Sequence, residues 1–130
     1  MDFYELIRNR ESIRDYAANH QPWRFLVISS KEMLKKVRLC YTCSWFQDAA
    51  HILIVAGNIN ESWVRQIDSY NSIETDLAIA MDHMILAAEY DGVATCWIEA
   101  YDPVILKKAL SIKDNERIFA ITSLGYPKKG

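Results

Sequence analysis

The sequence predicts a layered domain of the α/β or α+β kind, one sheet carrying helices on its faces. Short β-branched apolar runs alternate along the chain with segments whose apolar residues recur at helical spacing. One run, HILIVAGN at 51–58, is apolar nearly throughout, as in a strand covered on both faces. The longest helical segment, 72–90, has little that is polar outside a narrow stripe, so it needs a large apolar partner.

Taken in order, Phe3, Leu6, Ile7 and Arg10 fall at helical spacing and predict a short first helix ending near Arg10. RFLVIS, at 24–29, follows Pro22 and reads as a strand. Over 31–41, Met33, Leu34, Val37 and Tyr41 share one helical stripe, and Ser30 is placed to cap the start. Strand 51–58 ends in a Gly-Asn turn. Helix 72–90 has Ser72 or Thr75 as its cap and Gly92 as its stop. Its polar residues Thr75, Asp76, Asp82, His83 and Glu89 recur every seven, and the rest is mostly Ala, Ile, Leu and Met. Such a helix is expected to be buried almost all round, which in so small a chain favours a dimer core. VATCWIEAY (93–101) reads as a third strand, 103–112 as a helix with Pro103 in its first turn, and 117–126 as a fourth strand.

No repeat, low-complexity tract or linker divides the 130 residues, so one domain is expected. That length buries roughly two thirds of the unfolded surface without metal or disulfide staples. A net charge of −2 and a pI near 5.9 argue against nucleic acid, which selects a concentrated basic face. The beginning of the chain carries an acid and no long apolar stretch, and LAIAMDHMILAA is too short and too interrupted to span a bilayer. A soluble, cytoplasmic protein without membrane contact is the expectation. Cys40, Cys43 and Cys96 are an odd number, read as reduced thiols.

Several residues have the chemistry of a site. Arg10, Ser12 and Arg14 would point to one side of an extended segment, where two guanidinium groups and a hydroxyl suit a phosphate; the spacing by itself favours a solvated charged face. In NHQPW, Pro22 is expected to hold Gln21 extended, with Asn19 and Gln21 offering amides beside Trp23; the alternative is a capped turn with a core Trp. Glu99 closes a strand, where α/β sites are commonly built, or sits in a surface turn. Cys40 and Cys43 have Cys-x-x-Cys spacing, but one pair leaves zinc two ligands short and His51 is the only nearby imidazole, so they read as incidental thiols. His83 reads as part of the polar stripe on the long helix.

The order of NRESIRDY, ANHQPWRFLVI, AAHILIVAG, DLAIAMDHMILAAEYDGVATCWIEAYD and ITSLGYP resembles the FMN-dependent nitroreductase family over essentially the whole chain. The resemblance implies an α+β fold with a central, mainly antiparallel sheet flanked by helices, and a homodimer with FMN at the interface. It implies that Arg10, Ser12 and Arg14 hold the FMN phosphate and ribityl chain, and that Asn19 with Gln21 approaches the flavin from the partner subunit. Trp97, Ile98, Glu99 and Ala100 then form the stretch whose backbone amides face the flavin edge, with Ala100 where the family often has Gly. NAD(P)H would be the co-substrate and a nitroaromatic or quinone the small-molecule acceptor, with no side-chain acid or base required. A flavin-free dimer that keeps the fold as a binding or scaffolding module is the alternative.

The chain also departs from the family. Only Ala17 and Ala18 separate Tyr16 from Asn19, where the family usually has a helix and loops, so an internal helix is expected to be missing, as is the basic tail beyond LGYP. Segments omitted from the sequence and a true deletion both account for this, the first at lower cost in stability.

Overall fold

The computed structural model describes Asp2, Glu5, Leu6 and residues 20–127. Its elements are β1 (Trp23–Ile28), α1 (Lys31–Val37), a 3-10 turn (Arg38–Cys40), α2 (Ser44–Gln47), β2 (His51–Asn58), α3 (Ile73–Tyr90), β3 (Ala94–Ile98), α4 (Pro103–Leu110) and β4 (Glu116–Gly125). The first helix is represented only by Glu5 and Leu6, and the Tyr16–Asn19 connection and Lys128–Gly130 lie outside the described residues.

The four strands form one sheet in the order β1-β2-β4-β3, every neighbouring pair antiparallel. The near-continuous apolar run of β2 has the reason expected of it, because successive residues serve opposite faces. Ile52 and Ile54 join Leu34, Val37, Phe46 and Leu106 beneath α1, α2 and α4. Leu53 and Val55 meet Ile73, Leu77 and Met81 of α3 on the other face. Each such buried aliphatic side chain contributes about 1.5–3 kcal/mol relative to exposure. The result is an α+β layering in which β2 is the common floor of two cores.

Helix ends follow local chemistry. Ser30 Oγ accepts from Met33 N at 3.2 Å, as expected of a cap. The helix it starts stops at Val37 rather than running to 41, because Gln47 Nε2 donates to the carbonyls of Arg38 and Tyr41 and stabilises the tighter turn that follows. Ser72 holds the N-cap position of α3, as expected, but its hydroxyl donates to Asp76 rather than capping; Asn71 Oδ1, one residue earlier, accepts from Ile73 N at 2.9 Å, and Thr75 is hydrogen-bonded to Tyr70. Gly92, at φ +77°, ends the turn after α3 in the left-handed conformation that glycine adopts freely. Asp102 Oδ1 accepts from Val104 N and Ile105 N, capping α4 ahead of Pro103.

The expectation that α3 is buried almost all round is corrected within a single chain. Ile73, Leu77, Ala80 and Met81 are buried, whereas Ile79, Leu86 and Tyr90 are 51%, 46% and 58% exposed. A four-stranded sheet covers only one side of a helix, so among the described residues Ile79 and Leu86 on its second side stay largely exposed.

Candidate functional site

Gln21 leads into β1 at one edge of the sheet, with φ +48° rather than the extended conformation expected before Pro22. The chain reverses there because it is pinned on both sides. His20 Nδ1 lies 2.9 Å from the Glu61 carbonyl, and Asn58 N donates to the Pro22 carbonyl at 2.9 Å. A non-glycine residue held left-handed is the kind of local strain that a surrounding structure must over-determine. Gln21 lines a cleft of about 210 Å³ with Trp23, Asn58, Glu61 and the Arg24–Glu116 ion pair, whose charged atoms are 2.6 Å apart. Trp23 itself is half-buried against the α3 core, so the core-Trp reading of this turn holds in part.

At the other edge of the sheet β3 ends in Trp97 and Ile98, and Glu99 and Ala100 follow, both exposed. Ile98 is buried in the α1/α4 core, so only its backbone is available to a ligand. Trp97 is on the opposite face, 37% exposed, with its ring edge-on to Phe119. The backbone N–H groups of Glu99 and Ala100 donate to no other described residue.

That short stretch is anchored before and after. Cys96 N donates to Thr122 Oγ1 at 2.8 Å, and the fully buried Thr122 hydroxyl in turn donates to the Ser123 carbonyl at 3.0 Å. Tyr101 donates from its hydroxyl to the Ile118 carbonyl at 2.9 Å, and Asp102 N donates to the Cys40 carbonyl at 2.7 Å. Burial, with lesser contributions from Cys40 and Glu99, pushes the Tyr101 phenol up to about 12. Two amides without a partner among the described residues, held between fixed points, are a preorganised donor pair for electron-rich atoms.

A bulge shapes the same region. Val55 opposes Ala120 and Ala56 opposes Ile118, so Phe119 is an extra residue in β4. Bulges re-aim side chains beside sites, and this one turns Phe119 towards Trp97. The sequence carried no sign of Phe119 or Thr122: a bulge depends on the partner strand, and a threonine in a strand is unremarkable by type.

Arg10, Ser12, Arg14 and Asn19 lie outside the described residues. Gln21 and the Trp97–Ala100 stretch are not brought together within one chain. Three strand spacings, roughly 14 Å, separate their edges of the sheet. The Cys-x-x-Cys pair is part of the α1/α4 core: Cys40 is buried, its thiol pushed by that burial up to about 11, and Cys43 is half-buried. His51 is hydrogen-bonded to Ser29 Oγ at 2.7 Å. Among the described residues no group of three or more His, Cys, Asp or Glu side chains is arranged to hold a metal, and no helix is long and apolar enough to cross a membrane.

An antiparallel sheet with helices on both faces, closed at one edge by a strand that ends in the exposed Glu99 and Ala100, defines an α+β class. The model of the nitroreductase family matches residues 37–126, well over half of the chain, and the chain belongs to that family. A nitroreductase family protein from Clostridium difficile 630 superposes with a TM-score of 0.80 at 28% identity, covering 100% of this chain and 87% of that one. One from Clostridium novyi NT gives 0.70 at 27%, covering 99% and 87%. An FMN-dependent nitroreductase from Clostridium difficile R20291 shares the fold, with a TM-score of 0.70 at 17% identity over 98% of this chain and 74% of that one. A curated relative from Archaeoglobus fulgidus, provisionally named an NADH dehydrogenase/NAD(P)H nitroreductase, is 31% identical over 117 residues. The match takes in 86% of this chain but only 65% of that relative's length.

Proposed function

We propose that this chain is an FMN-dependent oxidoreductase that takes hydride from NAD(P)H and reduces small conjugated acceptors such as nitroaromatics or quinones. The observation that carries the reading is the amide pair of Glu99 and Ala100, without a partner among the described residues and anchored on both sides at the end of an edge strand in a chain of this family. When bound, FMN would supply the hydride chemistry, and the protein would supply binding, orientation and charge. Arg10 and Arg14, with Ser12, would hold the phosphate through charge-assisted hydrogen bonds. The Glu99 and Ala100 amides would steady negative charge at the edge of the ring, and Trp97 would lend its exposed flat surface.

Asn19 and Gln21 would complete the site from a second subunit, since Gln21 is across the sheet from Ala100 in its own chain. Burial of the Ile79–Leu86–Tyr90 stripe of α3 against a second copy would bring that subunit in. Protein purified without added cofactor is expected to be dimeric and yellow, with a flavin absorption band. Arg10→Ala is expected to lose FMN roughly 10-fold or more readily, from a contact of about 1.5–3 kcal/mol. A colourless protein that refuses added FMN would overturn the reading and leave a flavin-free binding module.

A further inference from the structure

Charge in this molecule is segregated by face. Residues 59–99, which include α3, carry eight carboxylates and one Arg, whereas 31–38 and 102–114, which include α1 and α4, carry seven cations and three carboxylates. The overall −2 that argued against anionic partners is therefore an average of a strongly acidic side and a basic one. α1 and α4 pack side by side on the same face of the sheet, and α4 begins beside the 3-10 turn, where Asp102 N bonds the Cys40 carbonyl.

The outward stripes of the two helices match. On α1 and the turn after it the stripe reads Glu32, Lys35, Lys36, Leu39; on α4 it reads Val104, Lys107, Lys108, Ser111. Leu39 is 64% and Val104 75% exposed, one and two residues along the chain from the Cys40–Asp102 backbone bond. Trp45 is exposed on the adjoining α2. The surface thus has an apolar centre flanked by lysine pairs. Those lysines carry little internal pairing. Lys107 meets the fully exposed Asp114 at 3.2 Å, Lys36 is 4.0 Å from Glu32, and Lys31, Lys35, Lys108 and Lys113 have no carboxylate within ion-pair distance among the described residues.

We propose that the α1/α4 face adsorbs to an anionic lipid surface. The cation chemistry selects that occupant over an acidic protein. The one Arg of the face, Arg38, is turned inward to the Ala49 carbonyl, so every outward cation is a lysine. Protein interfaces favour Arg, with its fixed fork, and are depleted in Lys. A headgroup layer has no fixed register, attracts point charges additively, and accepts shallow insertion of Leu, Val and Trp. The inference uses none of the residues assigned to the flavin, and it leaves the α3 face free for a second copy.

Sedimentation of the full chain with vesicles tests this. Phosphatidylcholine vesicles containing about 30% phosphatidylglycerol should carry the protein down at low salt, and phosphatidylcholine alone should not. About 0.5 M NaCl should release it, since screening then acts within a few ångströms. Lys35→Glu with Lys108→Glu should lower the bound fraction at least about 10-fold, and Leu39→Ser with Val104→Ser should lower it as well, both with unchanged circular dichroism. Equal binding to neutral vesicles, undiminished binding by either double variant, or no vesicle binding overturns the proposal. Retention on polyglutamate or DNA without vesicle binding does so too, assigning the face to an acidic protein or to nucleic acid.

Discussion

Phe119 meets Trp97 edge to face, with ring centroids 6.1 Å apart and planes inclined at 77°. The contact exists because β4 carries one residue more than β2 at Phe119, so the sheet spends a ladder position on aiming this ring. The pair stands just before Glu99 and Ala100. Phe119→Leu keeps apolar bulk but removes the ring edge. A double-mutant cycle with Trp97→Leu, read by urea unfolding, is expected to give a coupling of about 0.5–1.5 kcal/mol. Coupling near zero would mean that the bulge serves some other end.

Gly57 sets how closely α3 lies on the sheet. A Cβ there would stand 2.5 Å from Ile73 Cδ1 and 2.8 Å from Leu77 Cδ2. Gly57→Ala is expected to destabilise the fold by about 1–3 kcal/mol through overpacking. Ile73→Val deletes the atom in the closest clash, so the double variant should unfold at a higher denaturant concentration than Gly57→Ala alone. Failure of that rescue would place the strain elsewhere.

What could be read from the sequence, and what could not, divides by the range of the interaction. β2 was legible because its burial pattern is written in local periodicity, and so was the extent of α3, though not how much of it the described residues bury; Gly92 was legible because a helix stop needs a residue content with positive φ. The cap position at Ser72 was legible too, but not that Asn71 would take the Ile73 amide, since bonds to Asp76 and Tyr70 occupy the Ser72 and Thr75 hydroxyls. Gln21 was misjudged because the bias of Pro22 is local, whereas the bonds that reverse the chain come from Asn58 and Glu61. The Trp97–Ala100 stretch was singled out as a candidate by the order of motifs, not by its chemistry. Backbone amides leave no side-chain signature.

Two buried acids set the alkaline limit. Burial raises Cys40 from 9.0 to about 11 and Tyr101 from 10.0 to about 12, so both are held protonated more firmly folded than unfolded. The folded state then binds more protons above pH 9, and stability must fall as pH rises there. Their contribution is whole below pH 9 and is lost through pH 11 for Cys40 and pH 12 for Tyr101. Urea midpoints are expected to be flat to about pH 8 and to decline beyond pH 9, less steeply in Cys40→Ala. The same burial predicts that iodoacetamide modifies exposed Cys96 well before Cys40.

The exposed side of α3 distinguishes a fold requirement from an assembly requirement. Leu86 is 46% exposed, so Leu86→Glu should change the stability of an isolated chain by only about 0.5 kcal/mol. Set against a second copy, the same side chain would bury one carboxylate from each subunit in an apolar interface, at a cost of several kcal/mol. Sedimentation velocity should therefore show wild-type dimer and Leu86→Glu monomer with unchanged circular dichroism. If the second subunit completes the flavin site through Asn19 and Gln21, bound FMN should fall in the same variant, although no residue assigned to the flavin has been altered. A variant that remains dimeric would move the interface away from α3, and one that becomes monomeric yet keeps its flavin would place the whole site within one chain.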